Sequence, residues 1–326
     1  MINNSLRLIM IGTGPFAVPT FRALFDTHHT VVALVTQPAR PSHRHGVPPP
    51  TPMRDVAQQH GTPILAPENI NTQAAGMELA ALAPDLFVVA DFGQILSSET
   101  LALANRGGIN LHGSLLPKYR GAAPINWAIY HGDPETGVTV IHMTPRVDAG
   151  PCLAQARTMI DTEENAVELE TRLAELGAPL VCRAIDDLTN GLAESLPQDQ
   201  ALASPARRLR KTDGEIDWSR GADPIKNQVR ALEPWPKTYT FWRRAGGAPM
   251  RLILGRTAVR NDLPTAPPGT VVLAHGDELA VACGHAALAI REIQPSGKRM
   301  FTAGEFLRGY GVRSGQTFGP EPGSAG

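Results

Sequence analysis

Apolar residues in this chain follow two rhythms, and the change between them divides it. Up to about residue 142, short apolar runs recur: Leu6-Arg-Leu-Ile-Met-Ile11, Val31-Val-Ala-Leu-Val35, Pro63-Ile-Leu-Ala66, Asp85-Leu-Phe-Val-Val-Ala90, Gly108-Ile-Asn-Leu-His112 and Val138-Thr-Val-Ile-His142. Between them, residues 17–25, 53–59, 74–83 and 98–104 carry helical spacing. Buried strands alternating with helices predict a Rossmann-like α/β domain, a parallel sheet covered on both faces. A longer helix is predicted to open at Thr162, run through Leu169, Leu173, Leu176, Leu180 and Ile185, and end at Asn190-Gly191. A further helix spans 224–231. Short apolar segments at 238–242, 251–254, 270–274, 279–283 and 287–293 follow, separated by Gly, Pro or Asp. These predict a smaller OB-like β-barrel. The expected division is a catalytic domain at 1–190, a polar linker at 191–212, the barrel at 213–316 and a frayed tail at 317–326.

The net charge of -1 conceals an asymmetry. Residues 1–203 hold 12 Lys+Arg and 20 Asp+Glu, a balance of -8; residues 204–326 hold 18 and 11, a balance of +7. A basic second half suits a polyanionic partner. The 42% apolar content excludes a disordered chain. Cys152, Cys182 and Cys283 lie far apart, which argues against a zinc site or a disulfide framework and suits a reducing compartment. The start, Met-Ile-Asn-Asn-Ser, leads directly into a strand and resembles neither a signal nor a transit peptide, so the cytoplasm is the expected location.

Gly12-Thr-Gly14 after the first strand resembles a dinucleotide loop, but Ala17 stands where the third glycine belongs. The second strand also lacks a terminal acidic residue, so a nicotinamide cofactor is rejected. Residues 36–52 contain six prolines together with Arg40, His43, Arg44 and His45, a long basic loop without regular structure. In Gly108–His112, Asn110 and His112 occupy alternate positions and share one face where the strand ends at Gly113. That pair reads either as a capped strand end or as a site where His titrates near neutrality and Asn holds an oxyanion. Asp148-Ala-Gly150, in the turn after the strand 138–142, supplies a carboxylate that could reach the imidazole. Asn, His and Asp without Ser or Cys describe general acid–base catalysis with oxyanion stabilisation.

Asn110-Leu-His112, Ser114-Leu-Leu-Pro117, Arg120-Gly-Ala-Ala-Pro-Ile125 and Asp148-Ala-Gly150 together resemble the signature of the 10-formyltetrahydrofolate-dependent formyltransferases. The Ser-Leu-Leu-Pro and Arg-Gly-Ala-Ala-Pro-Ile wording is closest to the branch that formylates methionyl-tRNA. Phe16-Ala-Val-Pro19, Ile216-Asp-Trp218, Pro234-Trp-Pro236 and Gln294–Lys298 extend the similarity over nearly the whole chain, although Gly14-Pro15 departs from the usual order. The resemblance implies catalysis by Asn110, His112 and Asp148. It implies 10-formyltetrahydrofolate as co-substrate, without a metal, held by Ser114, Leu115, Leu116 and Pro117. A segment lining the pterin pocket would include Phe92 and Ile95, with Leu96 a core residue. It implies initiator methionyl-tRNA as acceptor and a loop whose Arg44 enters the acceptor arm; Gly46-Val47 replaces two lysines common in that branch, and a monomer is expected. With the basic run 206–211, the expected tRNA contacts are Arg40, Arg44, Arg207, Arg208 and Lys298. Two other readings stay open: formylation of a small amine such as glycinamide ribonucleotide or an amino sugar, and a tRNA-binding protein without activity.

Overall fold

The computed structural model describes residues 5–39, 51–244 and 247–320. The chain divides into two units, one comprising Met1–Pro124, Glu135–Met159 and Glu168–Arg207, the other Ile125–Pro134, Ile160–Val167 and Arg208–Gly326.

In the first unit the elements run β1 (Arg7–Ile11), α1 (Val18–Phe25), β2 (Thr30–Val35), α2 (Pro52–Gln59), β3 (Ile64–Leu65), α3 (Gln73–Ala81), β4 (Leu86–Val89), α4 (Ser98–Leu101), β5 (Gly108–His112) and β6 (Arg120–Gly121). After α5 (Pro124–His131), which apart from Pro124 belongs to the second unit, the first unit resumes with β7 (Glu135–His142), β8 (Cys152–Met159), α6 (Ala166–Asn190) and β9 (Pro205–Ala206). Seven strands form one sheet in the order β3-β2-β1-β4-β5-β7-β8. The first five pair in parallel, whereas β7 and β8 add antiparallel. The central strands β1 and β4 are buried almost throughout, as covering on both faces requires. The chain reverses its direction of travel across the sheet between β1 and β4. There Thr13 and Gly14 donate backbone hydrogen bonds to the Asp91 carbonyl at 3.0 and 3.4 Å. The C-terminal ends of β4 and β5 therefore open beside the switch point, where sheets of this kind bind ligands.

Helix α6 fixes the height of β5. A Cβ on Gly177 would meet the Leu111 side chain at 2.6 Å, so only glycine lets the helix approach so closely. Leu111 is thereby pinned on one face of β5, leaving Asn110 and His112 on the other. The helix begins at Ala166, later than the expected Thr162: the Asn165 side chain accepts from the Val167 amide at 2.9 Å and takes the capping role. Near its start, burial and then the charge of Asp91 push the Glu170 carboxyl up to about 7. A carboxyl raised in the folded state is most favourable below its ordinary value and loses that advantage as pH rises through about 7. Glu170→Gln is therefore expected to stabilise the protein by about 2 kcal/mol at pH 8, with the gap closing towards pH 5. Thermal melts of both proteins across that range check it, and a gap independent of pH would contradict it.

At the opposite, N-terminal edge of the sheet, His29 is buried and its Nδ1 accepts from the Leu6 amide at 3.1 Å. Its hydrogen therefore sits on Nε2, 3.3 Å from Asp186 Oδ1. This tautomer leaves no lone pair on Nε2 for a cation, although His28, His29 and Asp186 lie together.

Residues 191–207 correct the expected linker. Leu196 exchanges both backbone hydrogen bonds with Cys152 at 2.8 and 2.9 Å, and β9 pairs in parallel with β6. The stretch is polar because its side chains face water, while its backbone is tied to the first unit. The change of unit falls at Arg207–Arg208.

The second unit follows with α7 (Ala222–Ala231), β10 (Thr238–Arg243), β11 (Met250–Leu254), β12 (Thr257–Arg260), β13 (Val271–His275), β14 (Glu278–Ala282), β15 (Ala287–Ile290), β16 (Glu292–Pro295), β17 (Phe301–Thr302), α8 (Ala303–Tyr310) and β18 (Thr317–Gly319). Two antiparallel sheets, β17-β16-β11-β10-β18 and β12-β15-β14-β13, enclose one core around Trp242, Leu252, Leu288 and Phe306. This is the expected α/β unit followed by a smaller β-rich one. The run 287–293 divides into β15 and β16 at Arg291, where the chain passes from one sheet to the other. Helix α8 is closed by a capping box between Thr302 and Glu305 and by Gly311 at φ 65°. The expected tail is also corrected: β18 pairs with β10 and buries Phe318 in the core. Residues 321–326 lie outside the described residues. Among the described residues, no helix is long and apolar enough to cross a membrane.

Candidate active site

The face of β5 left free by α6 carries Asn110 and, at the strand's end, His112, which is only 5% exposed. The imidazole is held from both sides. Nε2 lies 2.8 Å from the Tyr119 carbonyl, an acceptor only, so this nitrogen carries a hydrogen and donates it. Nδ1 faces Asp148 Oδ2 at 3.6 Å, an ion-pair distance too long for a direct hydrogen bond. The same Oδ2 accepts from the Gly121 amide at 2.8 Å. Asp148 sits in the turn between β7 and β8 with φ 49°, a left-handed conformation that is uncommon outside glycine. Among the described residues the Asn110 side chain has no hydrogen-bond partner, which leaves its amide nitrogen as a candidate donor.

Two glycines bring these segments together. A Cβ on Gly150 would stand 1.7 Å from the His142 carbonyl oxygen, so glycine lets the turn fold back on β7. Gly121, at φ 125°, passes Ala206 so closely that a Cβ would stand 2.5 Å from its carbonyl oxygen. The arrangement offers a donor at Asn110, a proton-exchanging imidazole and an orienting carboxylate, the equipment of acyl transfer to an amine without a covalent intermediate.

Two family profiles match the chain: formyl transferase over residues 6–185 and formyl transferase, C-terminal domain, over residues 208–311. The chain belongs to the formyl transferase family. A methionyl-tRNA formyltransferase of Citrifermentans bemidjiense is 41% identical over 321 residues, covering 98% of this chain and 99% of the relative. Among solved structures, an N-formyltransferase from Helicobacter canadensis, in complex with folinic acid and dTDP-3-aminofucose, superposes with a TM-score of 0.65. It is 17% identical and covers 91% of this chain and 100% of that one. HypX from Aquifex aeolicus, in complex with tetrahydrofolic acid, gives 0.62 at 15% identity, over 96% of this chain and 50% of that one. At such identities the likeness is one of fold.

The remaining expected formyl-transferase site residues divide by environment. Ser114 is fully buried and its hydroxyl donates to the Lys118 carbonyl at 2.7 Å; its own carbonyl accepts from Thr139. Leu116 is buried, with its amide bonded to Thr139 Oγ1 and its carbonyl to Gln155 Nε2. These two side chains therefore shape the loop from inside, whereas Leu115 and Pro117 are half-buried. Phe92 is buried and packs in the same core cluster as Leu96. Its carbonyl accepts from Gln37 Nε2 at 2.7 Å. Ile95 is 63% exposed beside it. Arg207, Arg208 and Lys298 are exposed. Arg40 and Arg44 lie outside the described residues. Sequence reading missed Gln198, whose amide bonds to both ends of the 148–150 turn. It lies about 50 residues beyond Asp148 in a stretch without periodicity, so only the folded chain brings it there.

Proposed function

We propose that this chain transfers the formyl group of 10-formyltetrahydrofolate to the α-amine of initiator methionyl-tRNA, giving formylmethionyl-tRNA for translation initiation. The observation that carries the reading is the clustering of Asn110, His112 and Asp148 at one strand end in a chain that matches a methionyl-tRNA formyltransferase along its whole length. The amine attacks the formyl carbon, and the carbonyl electron pair moves to oxygen. The Asn110 amide donates to that oxyanion, and positive charge on His112 stabilises it. Nε2–H is committed to the Tyr119 carbonyl, so proton exchange runs through Nδ1, the nitrogen that faces Asp148. Collapse breaks the bond to N10 of tetrahydrofolate, which leaves with the proton given up by the amine. Backbone groups of the 91–96 and 113–117 loops hold the folate, with Leu115, Pro117 and Ile95 as its side-chain contacts. Arg40, Arg44, Arg207, Arg208 and Lys298 bind tRNA phosphates. The enzyme acts as a monomer in the bacterial cytoplasm.

Transfer to a small amine would use the same triad. The +7 balance of residues 204–326 favours an RNA acceptor. A mass-tagged formyl donor offered to methionyl-tRNA and to glycinamide ribonucleotide distinguishes the two. Formylation of the tRNA is expected, with KM for tRNA rising steeply as salt is raised and KM for folate little changed. Turnover of the ribonucleotide alone would overturn the reading.

A further inference from the structure

The catalytic Asp148 is not held by its own hairpin alone. Gln198, in the strap between α6 and β9, uses every hydrogen-bonding position of its amide. Nε2 donates to the carbonyls of Asp148 at 2.8 Å and of Gly150 at 2.7 Å, gripping the turn on both sides of Ala149. Oε1 accepts from Arg120 Nε at 3.0 Å and Nη2 at 2.6 Å, a two-toothed contact that fixes the plane of the amide. The third guanidinium nitrogen, Nη1, donates to Gln200 Oε1 at 2.8 Å.

Arg120 stands between the two residues whose backbones hold the catalytic pair. The carbonyl of Tyr119 fixes His112, and the amide of Gly121 fixes the Asp148 carboxylate. The strap also binds this segment along its backbone: the Tyr119 amide donates to Ser204 Oγ at 2.9 Å, the Arg120 amide to the Ser204 carbonyl at 2.8 Å, and the Ala122 amide to the Ala206 carbonyl at 2.7 Å. Two loops that share no sequence neighbourhood, 119–121 and 148–150, are thus joined by the Gln198 side chain as well as by the Gly121–Asp148 hydrogen bond. Asp148 stays in its left-handed conformation only while the turn around it is held.

We infer that Gln198, locked by Arg120, is a positioning residue that sets the carboxylate of Asp148 against His112. The inference rests on the proposed role of Asp148. The side chain of Gln198 touches no reacting atom; it acts through the turn. A glutamate at 198 would keep the shape and the contact with Arg120 while placing oxygen against two carbonyl oxygens.

The test uses the full chain in steady-state formylation of methionyl-tRNA. Gln198→Ala and Gln198→Glu are expected to lower kcat by about 10- to 100-fold, as a misplaced catalytic group does. KM for the folate donor should stay within about twofold, since the lost interaction acts in the transition state. In an Asp148→Asn background, Gln198→Ala should add less than about a threefold loss, because residues acting as one unit are non-additive. Circular dichroism and melting confirm the fold. Near-normal kcat for Gln198→Glu, or losses that multiply in the double variant, would overturn the positioning role. Loss of fold in both single variants would make Gln198 a scaffold residue and overturn it equally. High turnover by Asp148→Asn alone would instead remove Asp148 from the mechanism, an outcome separable from the others.

Discussion

Replacing His112 by Asn is expected to lower kcat by about three orders of magnitude, within the range that general acid–base catalysis supplies. Asp148→Asn and the double variant should show losses of similar size. The physical ground is the geometry of the ring. Its Nε2–H is fixed on the Tyr119 carbonyl, so only Nδ1 exchanges protons, and Nδ1 looks out on Asp148 across 3.6 Å. Without the carboxylate the ring keeps its hydrogen bond to Tyr119 but loses the charged group that faces Nδ1. Without the ring the carboxylate has no partner through which to act. Kinetics of the two single variants and the double one give the coupling directly. Two fully multiplicative losses would show that the residues act independently, and near-normal turnover of either variant would remove that residue from the chemistry.

Gly150→Ala should abolish activity and destabilise the protein by about 3 kcal/mol or more, at the upper end of what overpacking costs. The added Cβ would lie 1.7 Å from the His142 carbonyl oxygen and 3.3 Å from Thr144 Cγ2. Neither can retreat freely, because the His142 amide is bonded to the Pro151 carbonyl at 3.0 Å and β7 is paired on both sides. The turn must open, and it carries Asp148 with it. A midpoint lowered by roughly 10 °C in a thermal melt would accord with a loss of that size. An unchanged midpoint with normal turnover would mean that the turn has room the structure does not show.

The strands of the first unit were legible in the sequence because each is a short apolar run buried on both faces, as in β1 and β4. Asn110 and His112 were legible as a pair because a strand places alternate residues on one face, a property of local backbone geometry alone. The basic balance of residues 204–326 was equally plain, since charge can be counted without a fold. Other features were written locally but passed over: the Thr302–Glu305 capping box announces α8, and β12 and β18 are too short to stand out among their neighbours.

Phe92 and Ile95 show the limit of local reading. They stand three residues apart in one loop, yet one packs in the core and the other is exposed, because only neighbours from other strands decide which way an irregular segment turns its side chains. The strap 191–207 shows it more sharply. Polar, without periodicity and next to a unit boundary, it reads as a connector, since sequence records where side chains would be soluble and not where backbone amides find partners. Tertiary structure lays it along β6 and carries Gln198 to Asp148 across the interval of 50 residues between them. The sequence by itself determined the chemical groups of the site and the strand that presents two of them. Only the folded chain decided what holds the third, because hydrogen bonds between distant backbone segments leave no periodic mark on the residues that make them.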